Sequence, residues 1–283
     1  MPETDNKPHQ LASDDLLWRQ LKSVPAFRAL LRAVEARFYQ RTTLPGPVLD
    51  LGCGDGHFAS MTFESPLSVG IDPWWRPLKK AVRTGAYRLP VQGLGDAMPF
   101  PDNHFGTIIS NSVLEHIADV QPVLNETSRV LKPGGRLVIT FPSDNFTAKL
   151  GGALWLERAG LAGLADRYRK GFNFIARHAH TDSPERWQDR LEEAGFVVEQ
   201  WLSYFSVRAL HALEFGHLYG FPSFVCHLLT RRWIIAPWRA SLYYTERWLR
   251  PFYEESDAEE GTMLLFVAHK SSNPRPAISP VEL

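Results

Sequence analysis

The stretch Val48-Leu49-Asp50-Leu51-Gly52-Cys53-Gly54-Asp55-Gly56-His57-Phe58 decides how this chain is read. A short apolar run after a Pro45-Gly46-Pro47 turn reads as a buried parallel strand, and the glycines that follow break it before a helix can start. Glycine suits a ligand-binding turn because a residue without a β-carbon takes positive φ cheaply and lets a ligand lie against the backbone, with the amides of the next helix facing it. The spacing is Gly-x-Gly-x-Gly. A dinucleotide fingerprint wants its third glycine one place later, where this chain has His57, which weighs against an NAD-dependent oxidoreductase.

Working outward, Leu67-Ser68-Val69-Gly70-Ile71-Asp72 reads as a second strand that ends on an acid 22 residues after Asp50. An acid there, in a doubly wound sheet, sits beside the switch-point crevice, where its carboxylate can accept both hydroxyls of a ribose. A helix is expected from Trp75 to Tyr87, with Leu78, Ala81 and Val82 inward, and Leu89 to Ala97 then runs into a loop. Phe105 to Asn111 reads as a strand, with Ser112 to Ile117 opening the next helix. The stripe Leu124, Thr127, Val130 and Leu131 stops at Lys132-Pro133-Gly134-Gly135, because Pro cannot continue a helix and Gly ends one, and Arg136 to Phe141 is the strand beyond it. From Pro142 to His180 the alternation lapses, with one helix expected near Leu154 to Tyr168. Pro184 to Gly195 returns to pattern as a helix and its stop, followed by strands at Val197 to Leu202 and Met263 to Ala268.

These residues resemble the class I S-adenosylmethionine-dependent methyltransferases, and within them the small-molecule group similar to ubiquinone and menaquinone methyltransferases. The resemblance rests on the acid-x-Gly-x-Gly-x-Gly turn from Asp50, on Met98-Pro99-Phe100-Pro101-Asp102, and on Arg129-Val130-Leu131-Lys132-Pro133-Gly134-Gly135 before an apolar strand. It implies an α/β fold: a Rossmann-like, doubly wound sheet of seven strands, the last antiparallel between its neighbours, with a helical insertion before it. It implies S-adenosylmethionine as cofactor, held by Asp50, Gly52, Gly54, Gly56, Asp72, Pro73, Asp96, Ala97 and Asn111, with Asp96-Ala97 at the adenine. It also implies in-line transfer of the methyl to an oxygen or carbon, less readily a nitrogen, of a small-molecule or lipid-like acceptor. One departure stands out: where the family usually has an acid after the aromatic of the fourth strand, this chain has Gly106.

A hydroxyl acceptor must lose a proton, and histidine is the side chain best tuned to take it. His180, just before the helix that precedes strand six, is the first candidate base and His116 the second; His178 stands two residues before His180, and Tyr204, after strand six, is a further candidate. Glu115-His116 is similar to the end of a Glu-x-x-Glu-His metal motif, but Ser112 occupies the first Glu position, so no metal is expected.

At 283 residues and 44% hydrophobic, the chain can bury one main core plus an appendage. The division expected is 1–12 disordered, 13–40 N-terminal helices opening at Ser13, 41–203 the core, 204–260 a helical insertion, 261–270 the last strand and 271–283 a disordered tail. Thirty-one basic side chains balance 31 acidic ones, which weighs against nucleic acid as partner. Two cysteines, a polar N-terminus and no long apolar run suit a cytoplasmic protein. Between Trp201 and Tyr253 fall 14 of the chain's 34 aromatic residues, with six arginines against two glutamates. That composition fits a cap on the sheet, a cover for a greasy substrate, or peripheral membrane contact through 204–253. A non-catalytic S-adenosylmethionine-binding partner or sensor subunit would carry the same cofactor motif; oligomeric state is not legible.

Overall fold

The computed structural model describes residues 15–255, 258 and 260–272. The disorder expected of 1–12, the cap at Ser13 and the tail beyond Ser272 lie outside those residues. Seven strands, β1 (Val48–Leu51), β2 (Leu67–Asp72), β3 (Tyr87–Gln92), β4 (Phe105–Asn111), β5 (Leu131–Pro142), β6 (Phe196–Tyr204) and β7 (Met263–Lys270), form one sheet in the order β3-β2-β1-β4-β5-β7-β6. β1 to β5 pair in parallel, and β7 runs antiparallel between β5 and β6. The order reverses between β1 and β4, so a crevice opens there at the carboxyl ends of the strands.

Helices cover both faces. α1 (Leu16–Leu21), α2 (Ala26–Tyr39), α3 (His57–Thr62) and α4 (Trp75–Thr84) pack on one, burying Leu17, Leu30, Ala59 and Leu78. α5 (Gln121–Val130) and α9 (Pro184–Glu193) pack on the other, around Leu124, Trp187 and Leu191. Between β5 and α9 lie α6 (Asp144–Ala148), α7 (Gly151–Arg158) and α8 (Ala162–Ala176). Between β6 and β7 come α10 (Val207–Tyr219), α11 (Phe221–Thr230) and α12 (Arg239–Glu254). The insertion is helical, as expected, and α10 is anchored on α2 and α7. Glu214 of α10 accepts the first amides of α7, Gly151 N–H at 2.7 Å and Gly152 N–H at 3.0 Å, and the Tyr168 hydroxyl at 2.6 Å. A carboxylate at a helix N-terminus answers donors that the helix cannot satisfy itself.

Several local expectations need correction. α4 ends at Thr84, because Gly85 takes the left-handed conformation, so Tyr87 begins β3 instead of closing the helix; Val82 faces solvent. Ser112 has φ 52°, which breaks the chain after β4; only a 3-10 turn follows, Leu114–His116, and α5 waits until Gln121. The helix expected near Leu154 to Tyr168 is two, α7 and α8, parted at Gly160 with φ 76°. β5 begins at Leu131, and a register shift against β4 lets Lys132 to Gly135 leave the ladder before it resumes at Arg136. Gly106 also has its reason. A β-carbon there would stand 2.6 Å from the Gly46 carbonyl oxygen and 2.7 Å from that of Pro45, so this chain's β4 passes too close to the Pro45–Pro47 turn for any side chain.

Candidate functional site

The crevice at the switch point is a cavity of about 430 Å³. Its floor is Leu51 of β1 and Gly52 just after it, with Ile71 and Asp72 from β2; Gly93 to Asp96 line one side, and Ser112, Val113, His116 and Ile117 the other. Gly52 has φ 76°, and a β-carbon on it would lie 2.4 Å from Val113 Cγ1, so the wall closes only around a glycine. Asp72, 7% exposed, is aimed by two backbone donors: Gly54 N–H reaches one carboxylate oxygen at 2.9 Å and Trp74 N–H the other at 2.8 Å. Each oxygen keeps a lone pair for a further donor. A rigid carboxylate at one end and the apolar walls Ile71, Leu94, Ile117 and Val123 beyond it suit a ribose joined to a flat base.

A second cavity, about 140 Å³, shares Ser112 and His116 with the first. Its other walls are Leu31 and Arg32 of α2, Glu115, Pro142, Phe146, His178 and Met263. Glu115 is 2% exposed, and neither its Oε2 nor the His178 Nδ1 has a partner among the described residues. Burial pushes the Glu115 carboxyl up to about 8, against a smaller opposing effect of Arg32, so it is a neutral acid near pH 7. Burial pushes His178 down to about 4, with His116 beside it acting in the same direction, and burial also lowers His116. Both rings are therefore neutral near pH 7. His116 Nδ1 lies 3.0 Å from the Arg177 carbonyl oxygen, which can only accept, so Nδ1 carries the hydrogen and Nε2 its lone pair.

The roof over this second cavity is α2. Glu35, fully buried, accepts from Arg32 at 2.7 Å, Asn111 Nδ2 at 2.7 Å and the Ser112 hydroxyl at 2.8 Å, which ties α2 to the end of β4. The loop after α8 is tied down as well, since the amides of Ala179 and His180 both donate to the Glu115 carbonyl, at 2.7 and 3.1 Å. Among the described residues, no group of three or more His, Cys, Asp or Glu side chains is placed to hold a metal ion.

Residues 49–139 match the family described as "Methyltransferase domain". This stretch is a methyltransferase domain. S-adenosylmethionine is its cofactor, and the residues around Asp72 fit it. An uncharacterized methyltransferase of Mycolicibacterium gilvum is 31% identical over 139 residues, 47% of this chain and 51% of that one. An uncharacterized 37.1 kDa protein in a transposon of Streptomyces fradiae is 35% identical over 157 residues, 52% of this chain and 41% of that one. The chain thus spans about half the length of the curated relatives it matches. Among solved structures, phosphoethanolamine N-methyltransferase 2 of Haemonchus contortus in complex with S-adenosyl-L-methionine shares the fold with a TM-score of 0.54 at 16% identity, covering 88% of this chain and 54% of that one. A [4+2]-cyclase shares it with a TM-score of 0.52 at 19% identity, covering 93% and 88%. The sheet is that of the class I methyltransferases.

In the methyltransferase domain, Gly52, Asp72, Pro73 and Asp96 line the crevice, and His116 lines both cavities. Gly54 serves through its amide on Asp72. Asp50, Gly56, Ala97 and Asn111 are not on the crevice wall. Asp50 is buried behind it, accepting from the Tyr87 hydroxyl at 2.6 Å, and desolvation holds its carboxyl up at about 6. Gly56 begins α3, and Asn111 belongs to the Glu35 cluster. His180 lines neither cavity: Nε2 donates to the Ile117 carbonyl at 2.9 Å and Nδ1 faces Asp182 at 3.3 Å, so the ring holds a loop and has no free lone pair at the site. Tyr204 is buried beneath α2, its hydroxyl 3.4 Å from Glu35. Reading by motif missed Trp74, Ser112, Arg32 and Glu35. Trp74 had a signal, an aromatic two places after Asp72; Arg32 and Glu35 had only ordinary helical i,i+3 spacing.

Proposed function

We propose that the chain transfers the methyl of S-adenosylmethionine to a hydroxyl oxygen, or to an acidic carbon, of a small or lipid-like acceptor, and that the second cavity receives the reacting end of that acceptor. The observation that carries this reading is the cavity itself, which shares His116 and Ser112 with the cofactor crevice and holds buried, unpartnered polar atoms of Glu115 and His178. Burying such atoms without partners costs free energy unless a ligand supplies them. A binder or sensor subunit has no use for that arrangement.

Bound S-adenosylmethionine supplies a methyl on a positively charged sulfur, an excellent leaving group. Asp72 holds the ribose hydroxyls and Asp96, at the rim, the amine of the base. Glu115, as a neutral acid, donates its proton in a hydrogen bond to the acceptor oxygen and orients it; positioning of this kind is worth several kcal/mol. His116 takes the acceptor's proton on Nε2, while its Nδ1–H stays on the Arg177 carbonyl. A neutral carboxyl beside neutral imidazoles matches an uncharged hydroxyl better than an ammonium group. Phe174 and Ile175, 85% and 74% exposed, stand at the end of α8 shortly before His178 of the cavity wall, and such uncovered apolar side chains support a lipid-like acceptor. The resemblance to ubiquinone and menaquinone methyltransferases points the same way.

Titration calorimetry with S-adenosylmethionine, S-adenosylhomocysteine and NAD, followed by transfer of labelled methyl to phenolic and lipid alcohols, tests the proposal. Binding of both adenosyl ligands with labelled product is expected. Tight cofactor binding with no transfer to any oxygen or carbon acceptor would overturn it in favour of the sensor.

A further inference from the structure

The crevice and its roof leave the far end of the helical insertion without a role. α11 and the segment leading into α12 carry apolar side chains that the fold does not cover: Leu228 is 57% exposed, Leu229 80%, Trp238 59% and Tyr244 80%. Phe224, Val225, Leu228 and Leu229 recur at the spacing of one helix face, so α11 turns a single apolar side outward. No described side chain of α11 belongs to either hydrophobic core, whereas Leu242, Trp248 and Phe252 of α12 pack against one.

The charge carried by this segment of the chain has one sign. Residues 215–245 contain Arg231, Arg232 and Arg239 and no Asp or Glu. All three arginines are exposed; among the described residues neither Arg231 nor Arg232 makes an ion pair, while Arg239 stands 3.9 Å from Glu246. Arg231 closes α11, immediately after the exposed leucines. Trp238 caps α12 and Tyr243 and Tyr244 follow in its first turns, which puts amphipathic rings beside the apolar face. Aromatic rings, leucines and arginines without acids are what a helix lying in the headgroup region of a bilayer needs: an apolar side to bury and cations for lipid phosphates. α11 is ten residues long, and no helix among the described residues is long and apolar enough to cross a membrane. A second copy fits worse, since a two-fold contact through the α11 face would set Arg231 and Arg232 against their own copies, and the nearby acid Glu246 is already beside Arg239.

We infer that α11 and the approach to α12, residues 221–244, form a docking surface for an anionic lipid bilayer, with the leucines of α11 inserted and Arg231, Arg232 and Arg239 on the headgroups. The surface stands on its own geometry and holds whether or not the methyl-transfer reading does.

Flotation of the full chain with vesicles tests it, comparing phosphatidylcholine alone with phosphatidylcholine containing phosphatidylglycerol. The chain is expected to float with the anionic vesicles, to be released by salt, and to lose about tenfold or more of its partition in the double variant Leu228→Glu, Leu229→Glu. Unchanged S-adenosylmethionine affinity in that variant would show that the fold is intact. Should the variant lose that affinity, the pair Arg231→Ser and Arg232→Ser, at the open end of α11, decides instead: reduced flotation supports the surface and unreduced flotation overturns it. Absence of flotation with anionic vesicles overturns it, and so does a dimer in sedimentation equilibrium that Leu229→Glu dissolves.

Discussion

At the carboxyl edge of the sheet, polar side chains are buried and answer one another: Glu35 accepts from Arg32, Asn111, Ser112 and Tyr204, and Asp72 is fixed by two amides. In the segment 221–244 the reverse holds, with leucines and tryptophan exposed and two cations nearby, Arg231 and Arg232, that meet no acid among the described residues. The first region is complete except for the atoms a ligand would meet. The second is incomplete along a whole face. The difference separates a site for a molecule, which needs a few fixed polar atoms in a closed space, from a surface for an extended partner, which needs area and charge.

Glu35→Ala should test the buried side of that contrast most severely. It leaves Arg32 without its partner under α2 and removes the acceptor of Asn111 and Ser112, so stability by urea unfolding is expected to fall by about 3–5 kcal/mol. A loss under ~1 kcal/mol would mean that α2 is held by its apolar stripe alone. His116→Ala comes next: turnover should drop about 100-fold or more, while S-adenosylmethionine affinity by calorimetry changes little. Equal losses in both would make His116 a wall of the crevice and not a base.

Asp72→Ala should weaken S-adenosylmethionine binding at least about tenfold, the equivalent of losing ~1.5 kcal/mol of charged hydrogen bonding. Unchanged affinity would remove the ribose assignment. The smallest effect is expected from Glu115→Gln, which keeps a neutral donor in place. The native carboxyl is raised from 4.5 to about 8, so its contribution to stability is full below the unfolded value and is lost as pH rises through the folded one. Relative to the Gln variant, the native chain should therefore lose stability between about pH 4.5 and 8, and its turnover should decline near pH 8 where that of the variant does not. Parallel profiles for the two chains would take Glu115 out of the acceptor cavity.

Legibility in the sequence followed the range of the interaction responsible. The Gly52 turn, Asp72 at the end of β2, and the Lys132–Gly135 stop are short-range signals, because strand, turn and helix start are adjacent in the chain. Ser112 was read as the start of a helix because its left-handed backbone, held by the contacts of its hydroxyl and amide with α2 and β5, has no local mark. His180 reads as the first candidate base, ahead of His116, for a similar reason: both stand beside core elements in the chain, and only the path of the loop after α8 engages both ring nitrogens of His180 outside the cavities while it leaves Nε2 of His116 free at the site.

What the sequence by itself determined is the class of sheet, the glycine turn and the acid at the end of β2, since these depend on backbone conformation and spacing within about thirty residues. It also carried the aromatic and arginine content of the insertion, though not which side chains remain outside. The tertiary structure alone decided that α2, tied to the end of β4 through Glu35, roofs the second cavity, that Glu115 and His178 both line that cavity, and that α11 stays uncovered. Those outcomes join residues far apart in the chain, and their energies come from burial and pairing that exist only once the helices have closed over the sheet.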